Sequence, residues 1–258
     1  MQGTVIVRGG GDLATGILYR LHHVGYRVAS LETERPMVVR RTVSAAQAVF
    51  DGSAQVEDIE FKLLETGEFP KEDSAVPVWI DPGGESIGQL MPDFVIDAIM
   101  AKRNIGTHKE MAPRVIGIGP GFTAGQDVHY VVETMRGHYL GRVISEGSAI
   151  PDTGVPGKIA GESRNRLLKS PGRGYLKNFK EIGDTVEAGE EVGEVAGIAV
   201  KTAIRGVLRG LIHSSVPVSE GMKIGDVDPR NEKSNCFTIS DKALSVAGGV
   251  LEAMLRTR

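Results

Sequence analysis

Two stretches of this chain can be laid one on the other without a gap: GYLKNFKEIGDTVEAGEEVGEV, starting at Gly174, and GVLRGLIHSSVPVSEGMKIGDV, starting at Gly206. Gly174 falls on Gly206, Leu176 on Leu208, Lys177 on Arg209, Val186 on Val218 and Gly189 on Gly221. Gly193 and Val195 fall on Gly225 and Val227. A constant offset over that length means two copies of one short-stranded unit. Neither copy can bury its apolar face alone, so the two are expected to close on each other as a small β-barrel or sandwich. Residues 151–240, where helical periodicity fades, are therefore expected to form a domain of their own.

Paired half-repeats with V-x-x-G-x-x-V turns resemble the biotinyl/lipoyl carrier fold, which implies a barrel-sandwich hybrid. A carrier needs an exposed lysine at the tip of the hairpin joining its halves. Here the join reads VAGIAVKTAIRG, with its tip expected at Gly197–Ile198 and Lys201 beyond it in the next strand. No biotin or lipoate attachment is expected.

The first half has another rhythm. TVIVR, YRVASLE, VPVWID and RVIGIG are β-branched or apolar runs of strand length. LATGILYRLHHVG puts Leu13, Ile17, Leu21 and Val24 on one helical face, and PDFVIDAIMAKRN reads as a helix with Pro92 near its start. Strands interleaved with helices predict an α/β, Rossmann-like, doubly wound parallel sheet over residues 1–150. A C-terminal helix, 241–258, is expected to pack on that domain through Leu244, Ala247, Leu251, Met254 and Leu255, with Gly248 and Gly249 each weakening it by roughly 1 kcal/mol relative to alanine.

Three glycines follow the first strand. GGGDLA sets Gly9, Gly11 and Ala14 in the small-residue slots of a dinucleotide-binding turn, with Gly10 between them and Glu32 about twenty residues on, where an acidic side chain takes ribose hydroxyls. The same spacing returns at GPGFTA, with Gly119, Gly121 and Ala124. Both loops are expected to line one crevice where strand order reverses. A glycine-rich turn that only packs the fold is the competing reading.

Net charge is −3 with cations dispersed along the chain, which marks no nucleic-acid or membrane surface. One cysteine, Cys236, excludes an internal disulfide and fits a reducing cytoplasm. The chain enters a strand-like run by Thr4 and has no apolar stretch of spanning length.

VIVRGGGDLATG, IGIGPGFTAGQDVHYVVET, GVPGKIAGES and GMKIGDVDPR together resemble the YqeB-type proteins, named as components of a selenium-dependent molybdenum hydroxylase system. The resemblance implies an accessory, maturation role toward a molybdenum hydroxylase client enzyme, and kinship with XdhC-like accessory proteins. With the glycine loops read above, a dinucleotide-type cofactor, NAD(P) or a molybdopterin dinucleotide, is expected at Gly9, Gly10, Gly11, Ala14, Glu32, Gly119 and Gly121. An NAD(P)-dependent oxidoreductase is the alternative. No nucleic acid and no membrane are expected as partners, and a homo-oligomer stays open. The resemblance supplies no catalytic residue, and no metal site is expected. Asp81 in DPGGE, Asp127 and His129, the pair Arg40 and Arg41, His22 and His23, and Cys236 remain as candidates, each with an ordinary structural alternative.

Overall fold

The computed structural model describes residues 2–70 and 75–256. Residues 257–258 of the expected C-terminal segment lie outside them. The chain forms two units: Met1–Glu34 with Ser44–Asp152 and Ile239–Arg258, and Arg35–Val43 with Thr153–Thr238.

The first unit runs β1 (Thr4–Arg8), α1 (Asp12–His23), β2 (Arg27–Glu32), α2 (Ala48–Asp51), β3 (Ser53–Val56), β4 (Ile59–Leu63), β5 (Ala75–Ile80) and α3 (Glu85–Leu90). It continues with β6 (Phe94–Asp97), β7 (Arg114–Ile118), β8 (Thr123–Ala124), β9 (Tyr130–Val132), β10 (Val143–Ile144) and β11 (Gly147–Ser148), and ends in α4 (Asp241–Leu255). A nine-stranded sheet has the order β10-β9-β7-β6-β1-β2-β5-β4-β3. From β9 to β4 its neighbours are parallel, and an antiparallel partner closes each edge.

The doubly wound expectation fails on the crossovers. PDFVIDAIMAKRN is not a helix: its first half is β6, held between β1 and β7. Three apolar residues, Phe94, Val95 and Ile96, and Asp97 satisfy their backbone there through two neighbours, which outweighs the helical spacing. Among the described residues, α1 is the one long helical crossover; α3 has six residues, a three-residue 3-10 turn (Lys109–Met111) is the only helical piece between β6 and β7, and no helix joins β7 to β9. The two sheet faces are covered differently. Ile6, Leu31, Trp79, Val95, Val115 and Val131 pack under Phe122, Ala124, Val128 and Ala149 from loops and short strands. Helices α1 and α4 supply no residue to that cluster and pack on each other, with Gly16 against Ala243.

The buried face of α4 is Ala243, Val246, Ala247, Gly249, Val250, Ala253 and Met254. That is a rotation from the expected stripe: Leu244 and Leu251 are half-buried and Leu255 is 63% exposed. At Gly249, where the Gly141 backbone comes close, the interior face leaves no room for a side chain.

In the second unit β12 (Leu167–Lys169) precedes β13 (Gly174–Asn178), β14 (Thr185–Val186) and β15 (Glu191–Val195) of the first copy. After β16 (Ile198–Lys201) come β17 (Gly206–Leu211), β18 (Pro217–Val218) and β19 (Lys223–Asp228) of the second. Each strand of the second copy starts where its counterpart's number places it. The copies exchange strands reciprocally: Val186 of β14 faces Gly206, and Val218 of β18 faces Gly174. The result is two four-stranded antiparallel sheets, β12-β19-β17-β14 and β16-β15-β13-β18. The expected biotinyl/lipoyl-type barrel is not what these pairings make, since among the described residues no ladder closes one sheet on the other. The hairpin tip is Ala196–Gly197, with Val195 facing Ile198, and Lys201 lies inside β16 paired with Glu191 at 3.3 Å.

Candidate functional site

In a parallel sheet the strand ends that carry the chain outward share one edge. Here that edge collects Arg8 of β1, Glu32 of β2, Asp97 of β6, Asp81 just after β5, and Glu133 just after β9. Strand order reverses between β1 and β6, the place where open α/β sheets take ligands.

Arg8 and Asp97 are register partners at that point. They are 3% and 2% exposed, and Arg8 Nη1 stands 3.7 Å from Asp97 Oδ2. Thr107, also buried, links them: its hydroxyl accepts from Arg8 Nη1 and donates to Asp97 Oδ2 at 2.5 Å. Arg8 Nη2 donates to the Pro82 carbonyl at 3.4 Å, and the Ile99 amide donates to Asp97 Oδ1 at 3.1 Å. Burial raises the Asp97 pKa against the opposing pull of Thr107, Ile99 and Arg8. The group is a tie between three loops.

Asp81 is spent in the same way. Burial pushes its pKa up, but the Ser86 hydroxyl and the amides of Ser86, Glu85 and Gly84 donate to its carboxylate at 2.6–3.0 Å and leave it lowered. The Asp127 carboxylate accepts from the Thr123 amide, and His129 Nδ1 accepts from the Val115 amide, so both brace the turn after β7. His23 bonds Tyr19 and Asp58 at the far end of α1. Among the described residues no cluster of His, Cys, Asp or Glu could hold a metal.

The structure brings Gly9, Gly10, Gly11, Ala14 and Glu32 together, but gives most of their polar groups internal partners. The Gly10 amide donates to Glu32 Oε1 at 2.7 Å, and the Thr33 amide to Oε2 at 2.9 Å. Burial raises the Glu32 pKa against these bonds. The Gly9 amide donates to the Leu31 carbonyl, and the Gly10 carbonyl accepts from Ala46. Gly9 has a φ of +101°, and a Cβ there would sit 2.9 Å from the Ala98 carbonyl oxygen. At Gly10 it would sit 2.9 Å from the Ala46 nitrogen. The second loop leans on the same post-β6 segment: a Cβ on Gly119 would come 3.5 Å from Met100 Cε and 2.7 Å from Thr134 Oγ1, and one on Gly121 2.7 Å from the Arg103 nitrogen. No helix follows it. Residues 98–103 thus occupy the space expected between the two glycine loops, and the glycines admit backbone where a pyrophosphate was expected.

The start of α1 also lies on this edge, with Gly11 and Asp12 half-buried and Leu13 and Ala14 buried. Gly11 is its N-cap and supplies no side-chain cap. Beside this turn stands Lys242, half-buried on the first turn of α4. Burial lowers its pKa and Arg136 adds to the effect, against Asp12, Glu133 and Asp241. Glu133 already accepts from the amides of Thr134, Met135 and Ile150, and Asp241 holds Arg136 through two bonds at 2.8 and 2.9 Å. Among the described residues the Lys242 ammonium donates no hydrogen bond and meets no carboxylate at ion-pair distance. Sequence reasoning missed Arg8, Asp97, Thr107 and Lys242. Arg8, a charge closing an otherwise apolar strand, was the one available signal.

No family model matches the chain. A protein of Escherichia coli (strain K12) named uncharacterized protein YqeB is 44% identical over 254 residues, 97% of this chain and 47% of that protein. The chain thus spans about half the length of the curated relative it matches. Among solved structures, an aspartoacylase family protein from Mesorhizobium loti is 11% identical with a TM-score of 0.26, covering 87% of this chain and 84% of its own. A succinylglutamate desuccinylase from Silicibacter sp. is 12% identical with a TM-score of 0.27 over 87% and 84%. Scores that low carry no argument about fold or chemistry. The expected molybdenum hydroxylase role, the XdhC-like kinship and the NAD(P) alternative are not upheld: the matched relative is named only as uncharacterized protein YqeB, and the glycine loops that were to hold the dinucleotide are packed by backbone. What this chain is similar to, over nearly its whole length, is one half of YqeB.

Proposed function

We propose that the first unit binds a small molecule carrying one carboxylate or phosphate group, with that group at the first turn of α1 between Gly11 and Lys242. The observation that carries the reading is the half-buried Lys242 ammonium, which makes no hydrogen bond among the described residues and feels Asp12, Glu133 and Asp241 only at longer range, beside a helix start without a side-chain cap. The helix's free amides and positive dipole end favour an anion there, and an anion would restore the proton affinity that burial takes from Lys242. Gly11 supplies no capping side chain, and Asp12 is the acidic residue of that turn. The reading needs no dinucleotide. Among the described residues no helix is long and apolar enough to cross a membrane. The free, buried Cys236 supports the cytoplasm as the compartment.

Amide spectra of the whole chain, titrated with a panel of small carboxylates and phosphate esters, test this. At least one ligand should shift the amides of residues 11–14 saturably, and Lys242→Met should weaken it about tenfold, the worth of one partly buried charge-assisted hydrogen bond. A panel that leaves those amides unmoved, or a variant with unchanged affinity, overturns the reading.

A further inference from the structure

The two repeat copies differ at one residue of the ladder. In the first, Leu176, Lys177 and Asn178 face Val195, Glu194 and Gly193 one to one. In the second, Leu208 faces Val227 and Gly210 faces Asp226, so Arg209 is an extra residue at a bulge. Bulges re-aim side chains and gather beside binding sites. Lys177 is 71% exposed and paired with Glu194. Its counterpart Arg209 is 6% exposed, turned into the unit.

There Arg209 joins two further arginines, Arg230 on the same carboxylate and Arg40 close by. Arg209 Nη1 lies 3.4 Å from Oδ2 of Asp228, which is fully buried. The same carboxylate holds Arg230 through Nε at 2.9 Å and Nη2 at 2.6 Å. Arg40, whose Nη2 donates to the Asn235 carbonyl at 3.1 Å, is near enough to lower the Arg209 pKa further after burial has lowered it. The other buried acid, Asp226, is taken by Arg166. Arg209 Nε is buried with no acceptor. A buried guanidinium that shares one carboxylate with another arginine and leaves an N–H unmet is costly. An oxyanion answers both deficits, since a guanidinium edge matches its geometry.

We propose that Arg209, with Arg40 and Arg230, forms a site in the second unit for a tetrahedral oxyanion, phosphate either free or as the head of a small phosphomonoester. The site is separate from the Lys242 reading and does not depend on it. Arginine Nε–H signals of the full chain would be followed while sodium phosphate or glycerol 3-phosphate is added, with sodium chloride at matched ionic strength as the reference. The Arg209 Nε–H signal should shift saturably with phosphate and not with chloride. An ester binding at least tenfold more tightly than inorganic phosphate assigns the site to a phosphomonoester; equal or weaker binding assigns it to the free ion. Arg209→Met should weaken binding at least tenfold. Arg230→Gln, at an exposed side chain, should weaken it severalfold and keeps the test alive if the first variant does not fold. A phosphate response no larger than that of chloride, or affinity unchanged in the folded variants, overturns the proposal. Amides 11–14 are read in the same spectra, so failure of one site is distinguishable from failure of the other.

Discussion

Gly249→Ala is expected to destabilise the protein by on the order of 3 kcal/mol, although alanine is the better helix former. A Cβ on Gly249 would collide with the Gly141 carbonyl oxygen and sit 2.9 Å from Val132 Cγ1. The first obstacle is backbone, so α4 or the 141 turn must move. Its neighbour Gly248 has only Arg20 Nη1 near, at 3.7 Å. Gly248→Ala should therefore stabilise by about 1 kcal/mol, the ordinary helix-propensity gain. Urea melts of the two variants should move in opposite directions from wild type. Two shifts of the same sign would mean that α4 is not seated as described.

The second large effect is expected at Arg8→Met. Removing one partner of a buried ion pair leaves the other charge uncompensated, which costs about 3–5 kcal/mol. Asp97 is that other charge, 2% exposed. The pH dependence gives the signature. Burial already holds the Asp97 pKa above its unfolded value. Its ionised form therefore costs stability above the unfolded pKa, and the cost is relieved as pH falls through the folded pKa. Without Arg8 the folded pKa climbs further, so the deficit of the variant should narrow as pH falls from about 8 to about 5. Denaturant melts at several pH values measure this. A deficit constant across that range would remove Asp97 as its source.

Local chemistry determined the strands that are long and β-branched. Thr4–Arg8, Arg27–Glu32 and Arg114–Ile118 form where such runs stand, because extended backbone suits those side chains whatever surrounds them. The repeat likewise placed β17, β18 and β19 on the numbers of β13, β14 and β15. The glycine positions were visible, but not their purpose. A glycine spared for a ligand and one spared for a neighbouring backbone leave the same letter, and only the approach of residues 98–103 separates the two. Phe94–Asp97 became a strand because β1 and β7 offered ladders on both sides. The inward face of α4 was chosen by the closeness of Gly16 and Gly141. Arg209 turned inward through a bulge absent from the first copy. In each case the deciding contact comes from residues distant in the chain. Periodicity and composition carry no record of it, so tertiary packing alone decided the outcome.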